Sequence, residues 1–331
     1  MSFSFGRNLV MHVFGESHGA LVGVIVEGFP TGLRIDEGRI QAELDKRRPG
    51  TSAMVTQRKE TDQLKILSGN INGISTGAPI TMIIENKDVD SSSYVDFKRR
   101  PRPGHADFPA TVKYGGHSDI RGSGVFSGRM TAALVMAGAL VRGYLDDRGI
   151  SVEARLTQIG GYAIEGRLPE SIISKAKEDG DSLGSLAACT IEGMPVGIGE
   201  PMFESIESVI AHAMYSIPAV KGVSFGAGFE CAKMRGSEFN DQYRMEGGKI
   251  VTTSNNNGGI LGGLSNGMPI VFHVAIKPTP SISRPQMTVD LDSGKECEMT
   301  INGRHDPCIG IRAIPVIENL TAFCMADLLL R

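Results

Sequence analysis

The chain has 331 residues, 41% hydrophobic and 21% charged, with a formal net charge of -3. That balance fits a folded globular protein and excludes a disordered or membrane-embedded one; the lack of excess positive charge argues against a general polyanion binder such as a nucleic-acid protein. Five cysteines with no CxxC pair argue against a disulfide framework or structural zinc and point to a reducing, cytoplasmic setting.

The first residues, MSFSFGRNLVMHVFG, lack a basic-then-apolar leader pattern, and no apolar run approaches the ~18 residues of a membrane span, so neither secretion nor insertion is expected. Residues 9–14 and 20–29 are rich in β-branched side chains and read as strands on either side of Gly15-Glu16-Ser17-His18-Gly19. Asp36 is placed to cap a helix with Ile40 and Leu44 on one face, ending in Lys46, Arg47 and Arg48 and stopped by Pro49-Gly50. A polar stretch over 51–77 precedes a strand at 79–86, PITMIIEN.

Residues 99–129 hold five arginines and two histidines among glycines and prolines, with almost no apolar run. They read as a loop that closes around an anion, with Ser127 capping an apolar helix over 131–147. Short elements follow: helices at 171–179 and 204–217, and strands within 155–164 and 184–193. Residues 235–257 read as a mobile polar loop. A glycine-rich turn, NNNGGILGG, then feeds a strand ending in Lys277-Pro278-Thr279-Pro280-Ser281, a basic, hydroxyl-bearing phosphate clamp. Pro315 is expected to start the terminal helix. With no repeat or linker, and no strict strand–helix alternation, the pattern predicts a single α+β domain with antiparallel sheets packed on helices.

Gly15 to Gly19 matches the G-x-S-x-G pattern of serine hydrolases, but a nucleophile elbow runs from strand to helix and the residues that follow here are strand-like. Gly122-x-Gly124 lacks the buried strand and third glycine of a dinucleotide fingerprint. His12, His212 and His273 lie in apolar segments and read as structural. His18, His105 and His305 lie in glycine-containing polar turns, where a ring stays accessible and its pKa is tunable. Arg47, Arg48, Arg102, Arg121, Arg129 and Arg304 accompany Gly and Pro turns, and guanidinium forks suit phosphate and carboxylate.

In order, FGESHG, RRPGTS, QRKETDQLKILSG, STGAPI, IEN, RPGHAD, KYGG, GRMTA, NNNGGILGGLSNG, KPTPSI and GRHDPCIGIRAIPV resemble the chorismate synthase family over nearly the whole chain. The resemblance implies a β-α-β sandwich of two antiparallel sheets around helical layers, a homotetramer, and a reaction: 1,4-anti elimination of phosphate from 5-enolpyruvylshikimate 3-phosphate, giving chorismate. That reaction requires reduced FMN without net redox change, with NADPH a candidate reductant for the flavin. By resemblance His18 protonates the departing phosphate, His105 holds a proton near flavin N1, and Asp306 works with flavin N5 in removing the C6 proton. Arg47, Arg48, Arg102 and Arg129 would hold the phosphorylated dicarboxylate substrate. Ser127, Ala219, Gly262, Lys277, Thr279, Pro280, Ser281 and Arg304 would line the flavin site. The chain departs from the family pattern at Ala53, at Pro218, and at Val125 to Thr131, where many members read RSSARET. Two other readings remain: a non-catalytic flavin or phosphometabolite binder, and the serine hydrolase.

Overall fold

The computed structural model describes residues 3–48, 62–87, 91–301, 303 and 306–331; the expectations for Pro49-Gly50, Ala53, Arg304 and His305 lie outside them. Period-two burial builds two five-stranded antiparallel sheets. The first contains β1 (Ser4–Phe5), β2 (Val10–Gly15), β3 (Leu21–Glu27), β4 (Lys65–Ser68) and β5 (Ile80–Glu85), ordered β1-β2-β3-β5-β4. The second contains β6 (Ser151–Ile159), β7 (Tyr162–Ala163), β8 (Ser185–Glu192), β9 (Val220–Phe225) and β10 (Ile270–Ile276), ordered β9-β10-β8-β6-β7. In β10, Ile270, Phe272, Val274 and Ile276 are buried while the residues between them are not.

Helices fill the space between the sheets. Thr131–Asp146 (α2, counting Glu37–Arg47 as α1) packs on β2, β3 and β5, and Gly310–Leu329 (α4, counting Ile206–Ser216 as α3) packs on β6 and β8. The two long helices also pack on each other, giving sheet, helix, helix, sheet. Both are apolar on nearly every face, as a helix enclosed on all sides must be. At their crossing, a Cβ on Gly138 would lie 1.9 Å from the carbonyl oxygen of Asn319. Backbone cannot give way there as a flexible side chain can, so Gly138→Ala is expected to destabilise by about 3 kcal/mol, read as a lowered thermal midpoint; an unchanged midpoint would contradict so close a crossing.

Three expectations change. Pro315 lies inside α4, which begins at Gly310; as the sixth residue it forgoes the N–H bond to the Ile311 carbonyl, and burial of the turns that follow holds the helix past that missing bond. Residues 235–257 are not an unstructured loop: Tyr243–Glu246 pairs with Lys249–Thr252. The buried Asp241 carboxylate fixes the segment by accepting from Ser254 Oγ and from the backbone N–H groups of Asn256 and Asn257. Ser127 caps a short 3₁₀ turn, Gly128–Met130, which leads into α2, rather than capping α2 itself. Among the described residues no helix is long and apolar enough to cross a membrane.

Candidate active site

β2 and β3 are joined by the tight turn at 16–19, closed by Gly19 N–H donating to the Glu16 carbonyl at 3.0 Å. The turn passes from strand to antiparallel strand, so Ser17 does not stand on a nucleophile elbow. It is buried, and its hydroxyl accepts from Ser127 Oγ at 3.1 Å. His18 is buried beside it: Nδ1 shares a hydrogen bond with Ser91 Oγ at 2.9 Å, and Tyr94 meets the ring edge-on. The opposite edge lies against Gly122, whose φ of +57° and missing side chain are both required, since a Cβ would fall 2.2 Å from His18 Cδ2. Ser123 next to it also has positive φ, 69°, so the 122–124 segment forms a strained cover over the histidine.

Arg102 braces that cover. Its guanidinium forks onto Asp107 with two contacts of 2.8 Å, donates to Ser123 Oγ at 2.9 Å, and stacks over Phe97. A buried bidentate pair of this kind is a strong positional fix.

Beneath the His18 turn runs a cationic cluster. Arg47, at the end of α1, donates to one oxygen of Asp62 at 2.5 Å, and Arg129 donates to the other. Arg129 also donates through Nε to Asn86 Oδ1 at 2.9 Å. All three ionic side chains are buried, and Asp62 is 0% exposed. Burial pushes the Asp62 carboxyl up, but Arg47 and Arg129 together hold it below the usual carboxylate range. Burial lowers Arg47 to about 10. Arg47 Nε is buried with no hydrogen-bond partner among the described residues. Arg312 continues the cluster, donating to the Arg47 carbonyl at 3.1 Å and to Asp306 Oδ2 at 2.8 Å. Arg48, half-exposed beyond the helix end, lies 3.5 Å from Asp45.

A second group gathers around residues 277–281. His105 Nε2 and Ser281 Oγ lie 2.7 Å apart, and Lys277 Nζ donates to the Gly104 carbonyl at 2.7 Å. Pro280 packs so closely on Gly104 that a Cβ there would meet it at 2.7 Å. Burial, aided by Lys221, lowers the Lys277 pKa. Ala219 holds a φ of +77°, and its carbonyl accepts from the Lys277 N–H at 2.9 Å.

A family model described as chorismate synthase matches residues 9–330. The chorismate synthase of Korarchaeum cryptofilum is 49% identical, the match covering 99% of this chain and 97% of that protein. That of Thermococcus kodakarensis is 45% identical over 98% of this chain and 97% of its own. A crystal structure of chorismate synthase superposes with a TM-score of 0.76 at 30% identity, covering 98% of this chain and 92% of that one. The chain belongs to the chorismate synthase family. It is accordingly a carbon–oxygen lyase of the shikimate pathway, the enzyme class the resemblance implied, and it has the α+β sandwich expected of it. Nothing in the fold or the relatives favours the hydrolase or the non-catalytic binder.

Within the chorismate synthase frame, His18, Ser127, Arg47, Arg129 and Asp306 fall in one connected network, and His105, Ala219, Lys277, Pro280 and Ser281 in the other. Thr279 joins the second group by sequence, and its carbonyl accepts from Ser182. Gly262 sits between the paired strands Ile260–Leu261 and Leu264–Ser265, with open space where a Cβ would be. The departure at Val125 and Phe126 leaves Phe126 exposed against Tyr114. Sequence reasoning missed Asp62, Asn86 and Arg312. Asp62 and Asn86 fell inside segments that carried the resemblance, QRKETDQLKILSG and IEN, and polar residues amid an arginine-rich pattern were the one available signal.

Proposed function

We propose that the network from His18 to Asp306 carries out the 1,4-anti elimination of phosphate from 5-enolpyruvylshikimate 3-phosphate, giving chorismate in the cytoplasm. One observation supports this above the others: an acid and a base stand at two ends of a hydrogen-bonded network at whose centre two buried arginines share one aspartate. His18, enclosed by Ser91, Tyr94 and Gly122, is placed to deliver a proton to the departing phosphate. Asp306, fixed by Arg312, assists removal of the C6 proton. Arg47 and Arg129 supply positive field from below rather than by open contact, because both are buried. Arg48 is the more exposed guanidinium and contacts a carboxylate or phosphate of the substrate. Arg102 serves the substrate through the loop it braces.

The 277–281 group fits a phosphate-bearing flavin on two counts. Thr279 Oγ1 is buried with no hydrogen-bond partner among the described residues, and Lys277 brings a cation beside it in sequence. Lys277, Thr279, Pro280 and Ser281, with Ala219, Gly262 and Ser127, would hold FMN; Arg304 completes that set by resemblance. Reduced FMN, when bound, supplies electron density to the C–O bond that breaks. His105, held by Ser281, keeps a proton at hand on the same side. Losing the Lys277 ammonium should weaken FMN binding about tenfold, the scale of one charged hydrogen bond. Fluorescence titration of Lys277→Ala with unaltered affinity would remove the cofactor assignment. A homotetramer is proposed as well, supported by the solvent-facing Phe203, Phe229, Tyr243 and Met245. Light scattering at the mass of a single chain would count against it.

A further inference from the structure

Asn86 uses every polar atom of its side chain, and it uses them on two different parts of the site. Its amide nitrogen donates to the carbonyls of Glu16 at 3.0 Å and Gly19 at 2.9 Å, the two ends of the turn that carries His18. Its own backbone N–H donates to the Ala20 carbonyl at 3.1 Å. Its amide oxygen accepts from Arg129 Nε at 2.9 Å. One side chain therefore clamps the turn at both ends and ties it to the arginine that Asp62 holds.

We propose that Asn86 is a positioning residue for the elimination, setting the orientation of His18 according to the seating of Arg129; the assignment rests on the functional reading given above. The amide is the side chain that suits this place. Two carbonyl oxygens face it from the turn and one guanidinium N–H from α2's approach, so the position needs two donors and one acceptor on a short stem. A carboxylate would satisfy Arg129 and repel both carbonyls, and an alanine would satisfy neither side. Among the described residues the turn's other ties include its own Gly19-to-Glu16 bond, the Ser17 N–H donating to the Gly124 carbonyl at 3.3 Å and the Ser127 hydroxyl donating to Ser17 Oγ, whereas Asn86 meets both of its ends with one side chain. Arg129 is held with Arg47 on the same Asp62 carboxylate, so an anion drawn toward these arginines acts on both ends of the His18 turn through the Asn86 amide, beside the Ser127 contact to Ser17.

A double-mutant cycle on kcat separates this role from general damage. Asn86→Ala is expected to lower kcat at least about tenfold in the wild-type background, with FMN affinity unchanged, and to lower it by less than about threefold in His18→Ala, because the group it positions is already gone. Equal losses in both backgrounds, or no loss in either, would overturn the proposal. Asn86→Ser serves if the alanine variant does not fold. The His18 ring resonances of labelled protein supply a readout independent of turnover: they should shift in the variant while those of His212 and His273 stay in place. Unshifted His18 resonances would overturn the assignment even in a protein that made no chorismate, whereas absent turnover in the wild type would remove only the functional reading.

Discussion

Asp62→Asn is expected to cost about 3–5 kcal/mol of stability, the scale seen when one partner of a buried ion pair is removed. The substitution keeps the side-chain shape and a residue type that tolerates the positive φ of 41° found there, so it changes little except charge. What it leaves is two buried guanidinium groups, Arg47 and Arg129, sharing an amide where they had shared a carboxylate. A thermal midpoint lowered on the order of 10 °C would report the loss, and a midpoint within about 2 °C of wild type would contradict the central place given to this aspartate. The pH dependence has a definite sign. The folded pKa of Asp62 lies below its ordinary value, so its contribution is complete above the unfolded value of about 3.9 and disappears as pH falls through the folded one. The gap between wild type and Asp62→Asn should therefore be wide near neutrality and close under strong acid. A gap that widened on acidification would contradict the pairing.

His18→Ala, His105→Ala and Asp306→Ala should each lower turnover about a hundredfold or more, the usual scale for a lost acid or base. The environments differ, and so should the manner of failure. His18 is enclosed by Ser91, Tyr94 and Gly122 and lies outside the 277–281 segment, so its loss should fall on kcat more than on FMN binding. His105 is bonded to Ser281 in the segment assigned to flavin, so its loss should also weaken FMN binding. Asp306 is paired with the partly buried Arg312, and its removal leaves that guanidinium without its carboxylate and able to trap anions. Near-normal kcat in any of the three would withdraw that residue from the reaction.

The strands around Gly15 to Gly19, the Asp36-capped helix and the long apolar helix after Ser127 were legible because each carries a local signal: alternation, a cap or helical spacing. Pro315 misled because proline marks a helix start only statistically, and here the preceding residues Gly310 to Ile314 complete a turn under burial that no local pattern announces. The 243–252 hairpin was hidden for the opposite reason. Its side chains are largely exposed, so no apolar alternation betrays it, and its order derives from Asp241 reaching across to 254–257. The site divides in the same way. His18, His105 and the arginines were visible as residue types in glycine-rich turns. Asp62 and Asn86 were not, since each meets Arg129 across a long loop, 67 and 43 residues along the chain, and such pairings follow from topology rather than from spacing.

The most direct measurement is an anaerobic time course of the purified protein with 5-enolpyruvylshikimate 3-phosphate and reduced FMN, following chorismate and inorganic phosphate together. The account predicts that the two products rise in equal amounts and that neither forms when flavin is left out. Phosphate without chorismate, or neither product above a protein-free control, would contradict it.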